Sequence, residues 1–243
     1  MFSRTVTNYW LPDTTPDAAA RAGGYRVITD GSLPGNWTLM TLETSSGDRF
    51  LTLTSAQARC LGLSGVPTVS DAALRSALAA AGVALHGADY LFYLPVEDQS
   101  AVRAETVPGE TRQLTMADAG AFAQFAVAAP AQDMEEAFVE LGHWLVWGTF
   151  ADGRLVAAAS MYPWRGTHFA DLGIITLPEY RGRGLAKRTV RAISARTLAA
   201  GYEPQYRCQL DNTPSASLAR AAGFAQFGTW DVIASGMCTE TNS

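Results

Sequence analysis

The stretch Leu177-Pro-Glu-Tyr-Arg-Gly-Arg-Gly-Leu-Ala-Lys-Arg188 decides how this chain is read. A short apolar run, Leu172 to Thr176, leads into it, and a helical pattern lasting to about Ala200 leaves it. Strand, glycine-punctuated turn and helix start together make a grip for phosphate. The first-turn N–H groups of a helix have no intrahelical partner, and the helix dipole adds partial positive charge there. Gly182 and Gly184 tolerate positive φ and leave the main chain open to a ligand. Arg181, Arg183, Lys187, Arg188, Arg191 and Arg196 place six cations in sixteen residues with no acid among them, in a chain of net charge −5. A polyanionic small ligand explains that local excess, and a solvated basic helix face explains it as well. The spacing excludes two other phosphate loops. There is no Gly-x-x-x-x-Gly-Lys-Ser/Thr, and the third glycine of the dinucleotide fingerprint is missing.

A second segment, Asn212-Thr-Pro-Ser215-Ala-Ser-Leu218-Ala-Arg-Ala-Ala-Gly223-Phe224, follows the next strand pattern. Thr213 suits the cap, Pro214 the first helical position, and Gly223 the left-handed position that stops a helix. Taken together, the two segments resemble the signature of the GNAT superfamily of acyl-CoA-dependent N-acyltransferases. Arg181-x-x-Gly184-x-Ala186 fits the family's pyrophosphate loop, and Asn212, Ser215, Leu218 and Gly223-Phe224 fit its asparagine-led helix. The resemblance runs from roughly Glu110 to Ala234. It implies a mixed, mostly antiparallel sheet flanked by helices, preceded here by a smaller α/β part.

Composition limits the alternatives. Hydrophobic content of 48% and aromatic content of 10% over 243 residues supply a proper core for one large or two modest domains. The three cysteines, Cys60, Cys208 and Cys238, have unrelated spacings and argue for a reduced compartment over a disulfide framework. Three scattered histidines give no zinc site, so no metal is expected. No apolar run reaches membrane-spanning length, and the N-terminus lacks a secretory core. The expected location is cytoplasmic, with no membrane and no nucleic acid as partner.

Along the chain, residues 1 to about 20 read as a poorly fixed arm. Strands are expected at Trp37–Glu43 and Arg49–Thr54 around a turn at Thr44–Asp48, with helices at Ser55–Leu63 and Asp71–Ala81 and a buried strand at Ala88–Pro95. The polar stretch Glu97–Glu110, with Pro108-Gly109, is the best boundary. The expected domains are therefore 1–105, an α/β unit of unknown role, and 106–243, the GNAT-like unit. In the latter, a strand near Thr111–Leu114 precedes helices at Ala117–Ala128 and Asp133–Leu141. A hairpin His143–Phe150/Leu155–Tyr162, the central strand Ala170–Thr176 and the helix Gly184–Ala200 follow. The strand Gln205–Leu210, the helix Pro214–Ala222 and a strand Ala225–Ala234 complete the order.

The resemblance implies acetyl-CoA, or another acyl-CoA, as co-substrate. Its diphosphate would rest on Arg181, Gly182, Arg183, Gly184, Leu185, Ala186 and Lys187. A strand bulge at Gly173 would open a gap in which the pantetheine arm pairs with Ile174, Ile175 and Thr176. Asn212 and Ser215 would complete the coenzyme site. The reaction needs a base for an ammonium proton, donors for an oxyanion and an acid for a thiolate. Asp171 is the first base candidate, and Glu140, Glu136 and His143 follow. The family's tyrosine one position after the leucine is here Ala219, which leaves Ser215, Ser217 or Tyr180 as donors. Trp144, Trp147, Tyr162 and Trp164 suit either an aromatic pocket or a core. The expected function is N-acetyl transfer to a primary amine of a small molecule or protein, the alternative a catalytically silent acyl-CoA-binding protein. Oligomeric state stays open, a homodimer included.

Overall fold

The structure is a computed structural model that describes residues 1–12, 23–33 and 37–235. They form two compact units. The larger comprises Met1–Tyr9, Phe92–Cys208 and Asn212–Gln226, and the smaller comprises Trp10–Leu91, Gln209–Asp211 and the chain from Phe227. These units do not part at the expected boundary. Residues 92–105 fall in the larger one, and the last strand falls mostly in the smaller.

The larger unit is built on five strands, β7 (Thr111–Gln113), β8 (Leu145–Ala151), β9 (Arg154–Pro163), β10 (Phe169–Thr176) and β11 (Glu203–Gln209). They are ordered β11-β10-β9-β8-β7, and only the β10–β11 pair is parallel. The β8–β9 turn has left-handed Asp152 (φ 49) and Gly153 (φ 77), the pair that suits strand twist in a tight hairpin. Helices α5 (Ala119–Ala128) and α6 (Ala131–Ala137) cover one sheet face. Their Phe125 and the nearby Val139 pack with Val156, Ala158 and Ile175. Side chains alternate along β9, and Met161 on the opposite face accepts from Thr197 at 2.8 Å. Thr197 lies on α7 (Leu185–Ala199), which buries Val190 and Ile193 against that face. The mixed, mostly antiparallel sheet flanked by helices is the architecture expected.

Two segments of this unit depart from expectation. The N-terminal arm contains a helix, α1 (Arg4–Trp10), held because Val6 is buried and Tyr9 sets its ring edge-on to Trp164 and Phe169. The polar stretch read as a linker holds α4 (Val96–Ala104), whose only buried residues are Gln99 and Val102. So few inward positions leave no helical stripe to read.

In the smaller unit the strands β1 (Gly24–Thr29), β2 (Leu39–Thr44), β3 (Arg49–Leu53), β4 (Thr68–Ser70) and β12 (Ala225–Ser235) are ordered β4-β1-β3-β2-β12. The two-residue β5 (Ala84–Leu85) pairs with β12, and β6 (Asp89–Tyr93), at the place of the buried strand expected over Ala88–Pro95, is divided between the two units at Leu91. The β2–β3 hairpin turns where expected, with Gly47 at φ 88. Thr54 caps α2 (Ser55–Cys60) and Ser70 caps α3 (Asp71–Ala80) through side-chain bonds to backbone N–H groups. Strands β1, β4 and β5 were not expected: β1 alternates weakly between faces, and β4 and β5 are too short to carry a period. Cys208 is buried and takes part in no disulfide. No helix among the described residues is long and apolar enough to cross a membrane.

Candidate active site

The loop quoted at the outset joins β10 to α7. A 3-10 turn over Pro178–Tyr180 follows Leu177, and α7 begins at Leu185. Gly182 and Gly184 both take φ +74, and a Cβ on either would meet nothing within 4 Å. Their lack of a side chain therefore serves conformation and access, not packing. The first helical bond is Arg188 N–H to the Gly184 carbonyl at 3.1 Å. Ahead of it, the amides of Gly182, Arg183, Gly184, Leu185, Ala186 and Lys187 find no hydrogen-bond acceptor among the described residues. Six unpartnered donors at a helix start, with open space above the glycines, suit a diphosphate.

The basic island is smaller in space than in sequence. Arg181 is ion-paired with Asp133 of α6 and also donates to the Thr176 carbonyl at 3.1 Å. Arg188 lies 3.8 Å from Glu110, and Arg191 pairs with Glu105. Arg183 donates to the Glu179 carbonyl at 2.9 Å and lies over the Tyr180 ring. Lys187 is exposed in the first turn of α7, and neither it nor Arg183 forms an ion pair among the described residues. These two remain to meet an anion.

The strand before the loop changes partners halfway. Parallel pairing of β10 with β11 runs from Phe169↔Glu203 to Leu172↔Tyr206 and ends there. Pairing with β9 continues from Gly173↔Ser160 to Thr176↔Ala157 without a register shift. From Gly173 to Thr176 the strand thus pairs with β9 alone, and on its other edge the Thr176 carbonyl accepts from Arg181. Ile175 commits its side chain to the core, and its N–H and C=O, in phase with Leu177, point to β9, so Ile174 and Thr176 are the residues whose main chain faces the split. Thr176 Oγ1 is buried with no hydrogen-bond partner among the described residues. The bulge expected at Gly173 is not found. A Cβ there would come within 1.9 Å of the Ala137 carbonyl oxygen, so glycine is required by the close approach of the end of α6.

That approach brings several candidate bases together. Phe138 ends α6 in a left-handed conformation (φ 48) and packs against both His143 (5.0 Å between ring centroids) and Tyr162 (5.7 Å). His143 Nδ1 lies 2.8 Å from Ser160 Oγ, and its Nε2 lies 3.7 Å from Glu140. Burial pushes the His143 imidazole below its ordinary 6.5, against the upward pull of Glu140. Glu136 bonds Gln132 one turn back, on an exposed face.

Asp171 is differently placed. Its Oδ1 accepts from Gln205 Nε2 and Arg207 Nε, each at 3.0 Å. Its Oδ2 accepts from Arg207 at 2.6 Å and from Tyr162 at 3.2 Å. A carboxylate offers about four acceptor positions, and all are taken. Burial, then the neighbouring Asp171 charge, pushes the Tyr162 phenol up to about 12, so it stays a donor. Of the other aromatics, Trp144 stacks with Tyr202, and Trp164 packs against Phe169 with the Arg207 guanidinium over its ring at 5.8 Å.

On the far side of the split, Asn212 Oδ1 accepts from Ser215 N–H at 3.1 Å and caps α8 (Thr213–Ala221). Asn212 itself is the cap, and Thr213 is the first helical residue. Ser215 Oγ lies 2.9 Å from Tyr206 Oη, whose pKa burial raises strongly. Ala219 is fully buried one turn after Ser215. Tyr206 was not foreseen. It sits at the last rung before the split, a position that no spacing in the sequence marks.

Residues 114–224 match the model of the acetyltransferase (GNAT) family, so this part of the chain is a GNAT acetyltransferase domain. Among solved structures, a GNAT-family protein from Novosphingobium aromaticivorans is 24% identical with a TM-score of 0.47, over 65% of this chain and 69% of that one. An aminoglycoside N-acetyltransferase in complex with CoA is 23% identical (TM-score 0.38, covering 48% and 92%). The ribosomal-protein-S18-alanine N-acetyltransferase of Escherichia coli is 15% identical (TM-score 0.38, covering 55% and 97%). No curated protein matches the chain.

Proposed function

We propose that the protein is an acyl-CoA-dependent N-acyltransferase, with acetyl-CoA as donor and a primary amine of a small molecule or protein as acceptor. The observation that supports this is the row of unpartnered amides from Gly182 to Lys187, beside a strand that pairs with β9 alone from Gly173 to Thr176. The amides, Arg183 and Lys187 would hold the diphosphate, and the edge of Ile174 and Thr176 would hold the pantetheine arm. Asn212 and Ser215 would close the other side. Bound acyl-CoA would supply an activated acyl carbonyl.

His143 is the base we favour, because burial keeps its imidazole neutral and Ser160, its partner, faces Gly173 at the mouth of the split. It would take the ammonium proton, and Glu140 would steady the imidazolium. Asp171 would act at one remove, by orienting Tyr162. The amine nitrogen bonds the acyl carbon and gives up its second proton to solvent, the C–S bond breaks, and the sulfur leaves as thiolate. Ser215, backed by the Tyr206 phenol, would return a proton to that sulfur in place of the absent tyrosine at Ala219. The fully buried Ala219 also supports a second reading, a silent acyl-CoA-binding protein. A thiol-release assay with acetyl-CoA and a broad amine panel separates the two. Amine-dependent release supports transfer, and tight CoA binding without turnover on any amine supports the silent protein.

A further inference from the structure

The smaller unit has a cavity of its own, of about 400 Å³, over the face of its sheet. Its size lies within the roughly 300–1,000 Å³ of small-molecule sites. The floor is polar where a two-layer unit ordinarily buries apolar side chains. Glu43 lies opposite Arg49 on β3 and opposite Thr229 on β12, and Thr41 lies opposite Asp231. Alternate residues of a strand share a face, so Thr41 and Glu43, with Thr229 and Asp231, present one oxygen-rich surface to the cavity. Leu74 and Leu78 of α3 and Leu85 of β5 form an apolar wall.

The charges of this lining are unevenly satisfied. Arg49 reaches Tyr25 Oη at 2.7 Å, Glu43 at 3.1 Å and Asp71 at 3.2 Å, and Arg75 pairs with Asp71. Two arginines against Glu43, Asp71 and Asp231 leave a net charge of −1 (2 − 3). That excess falls at Asp231, which pairs with no guanidinium among the described residues. Its Oδ1 accepts from the backbone N–H of Gly87 (3.1 Å) and Val232 (2.8 Å), and burial pushes the carboxyl above its ordinary 3.8 against the downward pull of these bonds and of the neighbouring His86. Thr41 is 8% exposed, and its hydroxyl makes no hydrogen bond among the described residues. A concave, partly desolvated carboxylate beside a hydroxyl with hydrogen-bonding capacity to spare suits a cationic donor.

We propose that this cavity binds a small primary ammonium compound with a short apolar body. The ammonium donates to Asp231, Thr41 and Thr229, and the body lies against Leu74, Leu78 and Leu85. The site is separate from the acyl-transfer residues and stands whether or not that reading holds. The test is calorimetric titration of the full chain with n-butylamine, 1-butanol and butyrate. Butylamine is expected to bind at least about tenfold more tightly than the other two, the weight of a charge-assisted hydrogen bond. Asp231→Asn retains an acceptor for Gly87 and Val232 yet is expected to lose at least about tenfold in butylamine affinity. Thr41→Val serves as a second variant with a smaller loss. His143→Asn is expected to bind the amine as the parent does. Equal binding of butanol or butyrate, or undiminished binding to Asp231→Asn, overturns the proposal. So does loss of binding in His143→Asn alone, which would put the amine at the transfer site.

Discussion

Replacing Gly184 by valine tests the phosphate loop where its geometry is most demanding. Gly184 takes φ +74, and a Cβ there meets no protein atom within 4 Å. The variant therefore pays in backbone conformation and not in protein clashes. A left-handed non-glycine residue costs roughly 1–3 kcal/mol. At this size each 1 kcal/mol lowers Tm by about 2–4 °C, so a drop of about 2–12 °C is expected. Binding should suffer more. The side chain would stand over the amides of Gly184 and Leu185, each worth about 1.5–3 kcal/mol to a charged acceptor. Losing both is about 3–6 kcal/mol, or roughly 10²–10⁴-fold in Kd for CoA by calorimetry. Gly201→Val is the control. Gly201 also has positive φ (83) and open space, but it follows the far end of α7. It should lower Tm similarly and leave CoA affinity alone. A folded Gly184→Val protein that binds CoA within threefold of the parent would refute the reasoning, since nothing else about the site depends on that Cβ.

Other perturbations address the remaining parts. Gly173→Ala forces a methyl group into the Ala137 carbonyl, 1.9 Å away, and should cost about 1–3 kcal/mol by overpacking. Turnover should fall further than CoA affinity, as steady-state kinetics beside titration would reveal. His143→Asn should lower kcat/KM by about 10²-fold or more and abolish an acid limb whose midpoint lies below 6.5 in the parent. Because folding depresses this pKa, the neutral ring's contribution to stability is complete above 6.5 and is lost as pH falls from there through the folded value. An acid limb unchanged in the variant would remove His143 from the reaction. Asp171→Asn breaks a mostly buried pair with Arg207 and should cost about 3–5 kcal/mol in a denaturant melt. If turnover vanished while stability held, Asp171 would be the base after all. Tyr206→Phe should lower kcat by about 10–10²-fold with CoA affinity retained, and an unchanged kcat would place the thiolate's proton source elsewhere.

Local chemistry made the loop and its helix legible. A glycine pair with positive φ between an apolar strand and an amphipathic helix has few other uses, and the structure puts both glycines in that conformation. The β2–β3 and β8–β9 hairpins were legible for the same reason, through turn residues that only a few conformations accept. Legibility failed where pairing partners are distant in sequence. Strand β1 pairs in parallel with β3, and nothing within its six residues announces this. The acids that neutralise Arg181, Arg188 and Arg191 come from Asp133, Glu110 and Glu105, so the charge of the island could not be judged from its own sixteen residues.

The base illustrates the same limit and shows what resolves it. Asp171 was the natural first choice because it lies on the central strand two residues before the glycine. What changes its role is Arg207, on a strand 36 residues away, together with Gln205 and Tyr162. His143 rises by the opposite route. Gly173 admits the end of α6 to the sheet, which carries Phe138 and Glu140 toward Ser160, the residue paired with Gly173 across β9 and β10. Pairing of β10 with β11 also stops just before that glycine. One missing side chain thus stands at both the mouth of the split and the ring that would take the proton. Rescue of a Gly173→Ala enzyme by a shortened α6 terminus, with restored turnover and an unchanged acid limb, is the outcome this coupling requires.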